Sequence, residues 1–524
     1  MRTLTSLNRL LDVLPVFSDD LRIEIFFTVD EGSEFSDGVG LQLRSLGARP
    51  ISWAEAVERE FDLVLSASDH GDLHELNGPL VLLPHGAGYQ KYAQPAGKPG
   101  ELSGLARDAL RPDGATKLAG IILSHENQRA QLHEVAPHLD ERAIVAGDPC
   151  LDRLKAARRS RAAHRRTLGV SAHQKLVTVT STWGARSTLG SWPDLPARLA
   201  AELPADEFRL AAVLHPNVWT RHSRWELHRW LRRAEEAGLI VLPPAGAWQL
   251  GLLAADCLVG DHGSLSAYAT GLRIPLLLAA FGAEEVPPGT PMADLGRVTP
   301  WLVPEPSLAD QVDDAIATYD KASHQALADR VFALPGQSLD VLQKLFYELL
   351  GLSPVLPPRH HPFPREIPPV RRPRSFTVEV RHDRAGVTLR RFPAVLAELG
   401  RPNKNRHLIV ADDEDDERLR QSAAIIFRDT GDEPHHAWAK NTLAAYSECQ
   451  LLATITGDRL VTTWPRHDRV VTWELSDKAN DFAAELAVSA LYTCLVTCRE
   501  LSRSATLRIS AGAATATAHL VADG

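Results

Sequence analysis

The sequence predicts two doubly wound α/β domains in tandem, each built on a parallel sheet, followed by a smaller α+β module with an antiparallel meander. Three observations carry this. Short, β-rich apolar runs alternate with helical patterns from Arg22 to Leu350, the mark of βαβ units. A proline-dense stretch from Ser353 to Arg374 then interrupts every regular pattern. Beyond it, alternating runs are closed by tight turns in an antiparallel style. The 524 residues allow three or four domains at roughly 150 residues each, and 44% hydrophobic content is ordinary for a folded chain.

The chain begins MRTLTSLNRLLDVLPVF, where Asn8, Arg9 and Asp12 interrupt the apolar run that an export signal needs. The first series is RIEIFFTV, FSDGVGLQLRSLGA, FDLVLSAS, GPLVLLPHGAG, AGIILSHE and ERAIVAGDP, giving an expected first domain over 1–158. An Arg-rich helix near Leu154 to Leu168 leads into the second, expected over 159–352. It runs KLVTVTSTW, a helix around Leu195 to Glu202, FRLAAVLHP, a helix from Ser223 to Ala237, LIVLPP, AADCLVGDHG and IPLLLAAF. The segment Ser338 to Leu350 places Leu339, Leu342, Leu345, Phe346 and Leu349 at helical spacing and is expected to close the second domain.

Residues 353–374 hold eight prolines and five arginines in 22 positions, which reads as an extended, solvated spacer. In the last module, 375–524, LLATITGDRLVTTWPRHDRVVTWEL reads as a three-stranded meander with Gly457-Asp458 and Pro465 to Asp468 as its turns. A helix around Asp481 to Leu501 carries Cys494 and Cys498 as packing residues. The acidic run from Asp412, DDEDDER, reads as a solvated loop, with a metal or basic-partner surface as the alternative.

Lys+Arg 57 against Asp+Glu 66 leaves a net charge of -9, so there is no global basic footprint for nucleic acid. Five cysteines without a CxxC pair suggest neither a disulfide framework nor a zinc knuckle and fit a reducing cytoplasm. No apolar run is long enough to cross a bilayer. The basic segment Leu154 to Arg166 reads as a solvated helix at the domain crossing, with contact to anionic lipid at the inner membrane face as the alternative.

In an open parallel sheet, ligands bind at the carboxyl ends of the strands. There stand His85 with Gly86, Ala87 and Gly88; Ser124 with His125; Gly147 with Asp148; Ser181, Thr182 and Trp183; His215 with Pro216 and Asn217; and Asp261, His262, Gly263 and Ser264. The two halves are expected to face each other across a cleft. His85 has the unperturbed pKa for general-base work on an acceptor hydroxyl. Gly263 lets backbone approach a phosphate, while Ser264 and Ser266 open a helix whose N-terminal dipole favours an anion, so no metal or other cofactor is required.

Taken in order, VLLPHGAGYQKY, GIILSHENQ, VAGDPCLDRL, VTVTSTW, AAVLHPN and ADCLVGDHGSLSAYATGLRIPLLL resemble the CDP-glycerol glycerophosphotransferase family of teichoic-acid polymerases and primases, within the GT-B glycosyltransferase superfamily. The resemblance covers roughly Arg22 to Leu350. It implies a GT-B fold with an acceptor-side first domain and a donor-side second domain. It also implies transfer of glycerol phosphate from CDP-glycerol to a hydroxyl, with His85 as base. Donor contacts would come from Ser181, Thr182, His215, Asp261, His262, Gly263 and Ser264, and loop or phosphate contacts from Gly86, Gly147, Asp148 and Arg186. The sequence departs from the family's pattern at three places: Ala87 and Gly88 replace the usual Thr-Pro, His262-Gly263-Ser264 follows Asp261 where an aromatic or His and then Ser-Ser is usual, and Cys150 and Gly184 stand where basic residues are common, with Arg186 as the substitute basic residue.

Two other readings stay open. His215 to Asn217 and the segment from Gly260 to Leu278 also resemble UDP-sugar 2-epimerases, although Leu265, Ala267 and Tyr268 stand where that branch has its acidic pair. A non-catalytic binding or regulatory protein on the same shell is the third.

Overall fold

The computed structural model describes residues 1–30, 38–93, 102–105, 118–363, 367, 369, 371–382, 386–401, 406–479, 482–496 and 506–523. The first domain holds a four-stranded parallel sheet of Val64–Ser66, Leu80–Leu82, Leu118–Leu123 and Ala143–Val145, in that order. Only Phe27–Thr28 of the RIEIFFTV run is strand, paired with Pro50–Ile51 in a separate two-stranded sheet. The second domain holds five parallel strands in the order Leu276–Leu278, Cys257–Gly260, Lys175–Ser181, Phe208–Leu214, Ile240–Leu242. Its central strand KLVTVTS is buried at every position after Lys175, as a strand covered by helices on both faces must be.

The N-terminal segment is a helix, Leu4–Val13, capped by Thr3, whose hydroxyl accepts the Ser6 N–H. Its apolar side joins the first domain's core through Leu10 and Val13. The helix Ser338–Leu349 does not close the second domain. Leu339, Leu342, Phe346 and Tyr347 cross back to pack with Val13, Phe17, Val81 and Ile122 of the first. Sequence position pointed to the nearer domain, whereas the helix's apolar stripe is buried against the farther one.

The Arg-rich helix begins earlier than expected, at Pro149, and breaks into Pro149–Ala157 and Arg161–Thr167 around a 3-10 turn. Arg161 and Arg165 turn inward and both bind Asp256, at 2.7 Å, so this side of the helix is not a solvated basic face. The proline stretch is a strap rather than a free spacer. Arg153 donates to the carbonyls of His361 and Pro362, its guanidinium lies 3.9 Å from the Phe363 ring centroid, and Phe363 is buried in the second domain's core.

The last module is not simply an α+β meander. The three strands Leu451–Thr456, Arg459–Trp464 and Arg469–Ser476 do pair antiparallel in succession, but within a closed nine-stranded barrel. Three neighbours pair in parallel: Val387–Pro393 with Thr506–Ala511, Arg406–Ala411 with Ile425–Asp429, and Ile425–Asp429 with Leu451–Thr456. The helix Ala484–Val496 belongs to the barrel's core, with Leu486 to Leu491 all at most 1% exposed. Cys494 is buried there and Cys498 lies outside the described residues. The acidic run meets an internal basic partner, because Arg374 of the strap donates to Asp413 at 2.9 Å. Among the described residues no helix is long and apolar enough to cross a membrane, and no cluster of three metal-ligating side chains occurs.

Candidate functional site

A cavity of about 360 Å3 opens where the two parallel sheets face each other. From the first domain, His85 and Gly86 line it, on the loop after Leu80–Leu82; from the second come Ser181, Thr182, His215, Asp261, Gly263 and Ser264. The carboxyl ends of four strands from two domains therefore converge on one space, as the strand-end rule requires. Three residues that sequence reasoning passed over are there too. Arg9 and Asn8 reach it from the N-terminal helix, and Lys91 from the loop carrying His85.

Each positioned side chain has a local cause. His215 caps the helix Pro216–Arg221, with Pro216 at its first position. Its Nδ1 accepts the Asn217 N–H at 3.1 Å, which assigns the ring proton to Nε2. Burial, reinforced by Lys91 and His85, pushes its pKa down to about 3. Burial lowers His85 as well; Arg9, His70 and Lys91 add to the effect and Asp69 opposes it. Both imidazoles are neutral at pH 7. Lys91 is lowered by burial against the opposing carboxylates of Asp261 and Glu285.

Asp261 organises the second-domain wall. Its Oδ2 accepts the Thr182 and Thr188 N–H groups at 2.8 and 2.9 Å and the Thr182 hydroxyl at 2.8 Å, and its Oδ1 accepts the Gly263 N–H at 3.1 Å. With these bonds made, the carboxylate orders two loops at the cavity wall. Ser181 is likewise used locally, its hydroxyl donating to the Thr182 carbonyl and accepting the Leu189 N–H.

Ser264 opens the helix Ser264–Gly271, and its Oγ accepts the Ala87 N–H at 3.2 Å from the other domain. Gly86 makes this approach possible: a Cβ there would stand 2.5 Å from that Oγ. Arg9 completes the junction, donating to the Gly86 carbonyl at 2.7 Å, the Asp148 carboxylate at 2.9 Å and the Tyr268 hydroxyl at 2.9 Å.

Four of the expected site residues stand outside the cavity. His262 is fully buried, bonded through Nε2 to Glu285 at 2.8 Å and through Nδ1 to the Gly282 N–H. Arg186 pairs with Glu284 and is half-exposed. Asp148 caps the helix Pro149–Ala157 and neutralises Arg9. Gly147 takes φ +76, and a Cβ on it would meet the Ala333 carbonyl oxygen at 2.5 Å, so its place is conformational.

Two parallel-sheet domains thus face a shared cleft. The chain is similar to the wall teichoic acid polymerase TagF. In a CDPG-soaked form of that protein the likeness covers 65% of this chain and 84% of the other, at 14% identity and a TM-score of 0.43. The S. aureus MnaA-UDP co-structure is similar over 67% of this chain and 96% of its own, at 11% identity and TM-score 0.40. A glycosyltransferase from Rickettsia africae ESF-5 is similar over 65% and 95%, at 11% identity and TM-score 0.36. No protein-family model and no curated protein matches the chain. At these values the likeness assigns neither family nor activity.

The missed residues left some signal. Thr5, Asn8, Arg9 and Asp12 recur at helical spacing on a segment otherwise rich in leucine, and all four line the cavity.

Proposed function

We propose that the chain is a transferase that draws on a nucleotide-diphosphate donor, with His85 as general base. The observation that carries the reading is the convergence, in one cavity, of a neutral His85 from the first domain with Lys91, His215 and the Ser264 helix start. A neutral imidazole can take the proton of an acceptor hydroxyl. Lys91, the His215 Nε2–H, the Ser264 hydroxyl and the adjoining backbone N–H groups supply donors for the charge that develops on the leaving phosphate.

On the motif resemblance, the transferred group is glycerol phosphate and the donor CDP-glycerol. The acceptor oxygen forms a bond to the distal phosphorus as its proton passes to His85. The bond from that phosphorus to the bridging oxygen breaks, and CMP leaves with the electron pair. His85 then releases its proton to solvent. His85 and Gly86 sit on the acceptor side; Thr182, His215, Gly263 and Ser264 hold the donor.

The test is a thermal-shift panel of cytidine and uridine diphosphate compounds followed by product analysis. A ligand that binds only the folded chain raises the melting temperature by mass action. His85→Ala should abolish transfer and keep that shift. If no nucleotide shifts melting at millimolar concentration, the proposal fails; a nucleotide shift without transfer or donor hydrolysis would favour a binding protein on the same shell.

A further inference from the structure

We propose that the cavity between the second domain and the barrel is a binding site for a phosphorylated small molecule, separate from the donor cleft. The space measures about 860 Å3 and is bordered by Arg165, Arg166, Arg209, Arg372 and Arg391, against the carboxylates Asp206 and Glu485. Both carboxylates are taken by Arg391, at 2.7 and 3.1 Å, and Arg165 is held by Asp256 at 2.7 Å. Arg166, Arg209 and Arg372 are left without a carboxylate among the described residues.

Arg209 is the decisive one. Its Nε and Nη2 are buried and have no hydrogen-bond partner. Buried guanidinium donors bear their full desolvation cost when unpaired, and native structures seldom leave them so without an occupant. Burial and the neighbouring Arg372 lower its pKa to about 10, which still leaves it charged at neutral pH. A Cβ on Gly238 would lie 3.2 Å from the Arg209 Nη1, and one on Gly169 would lie 3.5 Å from the Arg372 Nη2. The two guanidinium groups thus stand against two glycine turns that are themselves part of the cavity wall.

Among the described residues no lysine borders the space. The charge is carried by planar forks that match a phosphate bidentately. Phe376, Phe482 and Ala514 of the barrel supply an apolar wall for the rest of an organic phosphate. Since Arg372 belongs to the strap and Arg209 to the second domain, an occupant would bridge the strap and that domain beside the barrel. Arg209 and His215 are near opposite ends of the strand Phe208–Leu214, six residues or ~20 Å of extended chain apart, so this site does not depend on the proposed activity.

The test is hydrogen-deuterium exchange on the full chain with sodium pyrophosphate, against sodium chloride at equal ionic strength. Pyrophosphate should slow exchange in peptides covering Gly169–Gln174 and Ala237–Leu239. Arg372→Gln, at an exposed position that does not endanger folding, should weaken the effect by about tenfold, and Arg209→Gln should remove it. Absence of protection there at millimolar pyrophosphate overturns the proposal, as does protection confined to the cleft peptides around Ala87 and Ser264 or protection unchanged in Arg372→Gln. Cleft peptides report on the donor site independently, so the two readings stand or fall apart.

Discussion

The Arg9 guanidinium and the Asp148 carboxylate meet at 2.9 Å with 3% and 1% of their side chains exposed. The pair ties the N-terminal helix to the start of the helix Pro149–Ala157, and through Tyr268 it reaches the second domain. Removing one partner strands the other charge in a dry setting. Arg9→Met should cost ~3–5 kcal/mol in urea denaturation. Asp148→Asn added to it should recover part of that loss, since no buried charge is then left unpaired. A loss below ~1 kcal/mol for Arg9→Met would contradict the burial argument.

Gly86 and Ser264 make a steric prediction across the same junction. A Cβ at 86 would stand 2.5 Å from the Ser264 Oγ and 3.5 Å from its Cβ, the second an ordinary contact. Gly86→Ala should therefore destabilise by ~1–3 kcal/mol through overpacking, and Ser264→Ala in that background should restore most of it. If the double variant is no more stable than Gly86→Ala alone, the collision lies elsewhere.

Much of the two parallel sheets was legible because strand ends carry the chemistry. His85, His215 and Ser264 follow apolar runs that need no partner information to be recognised as strands. The barrel was not legible, because Phe376–His382 pairs with Arg406–Ala411 and Val387–Pro393 with Thr506–Ala511, and such distant pairing leaves no periodic trace. Asp261 shows the finer limit. Its place after a strand marks it as a ligand contact, and its bonds to Thr182, Thr188 and Gly263 show that it also organises two loops. No local pattern separates these roles.

That role yields a third prediction. Asp261→Asn has one acceptor oxygen where the carboxylate has two, so the Oδ1 and Oδ2 bonds cannot all be kept. A buried N–H is then left unpaired, which costs about 1–3 kcal/mol. Hydrogen-deuterium exchange over Thr182–Thr188 should quicken in the variant while the barrel strands exchange as before. Unchanged exchange there would mean that the loop is ordered by something else.

Histidines give the pH dependence its sign. Burial sets His215 at about 3 and His407 at about 4, and His435, bonded to Thr454 and Thr463, is also lowered to about 4 by burial. In the unfolded chain each returns to about 6.5. Between these values the unfolded state binds more protons, so stability falls as pH falls below about 6.5 and these groups are silent above it. Each histidine contributes at most ~1.4 kcal/mol per pH unit. Urea denaturation at about pH 7.5, 6.5 and 5 keeps above the ordinary carboxylate range. Stability should fall modestly between the first two, where the Met1 amino group that burial lowers to about 6 also contributes, and drop further at the third as the histidines of the unfolded chain fill with protons. His407→Leu removes a ring whose Nε2 is buried without a partner, so it should flatten the drop by one histidine's share. Stability that is level or rising from pH 6.5 to 5 would mean that these rings are solvated and titrate normally in the folded chain.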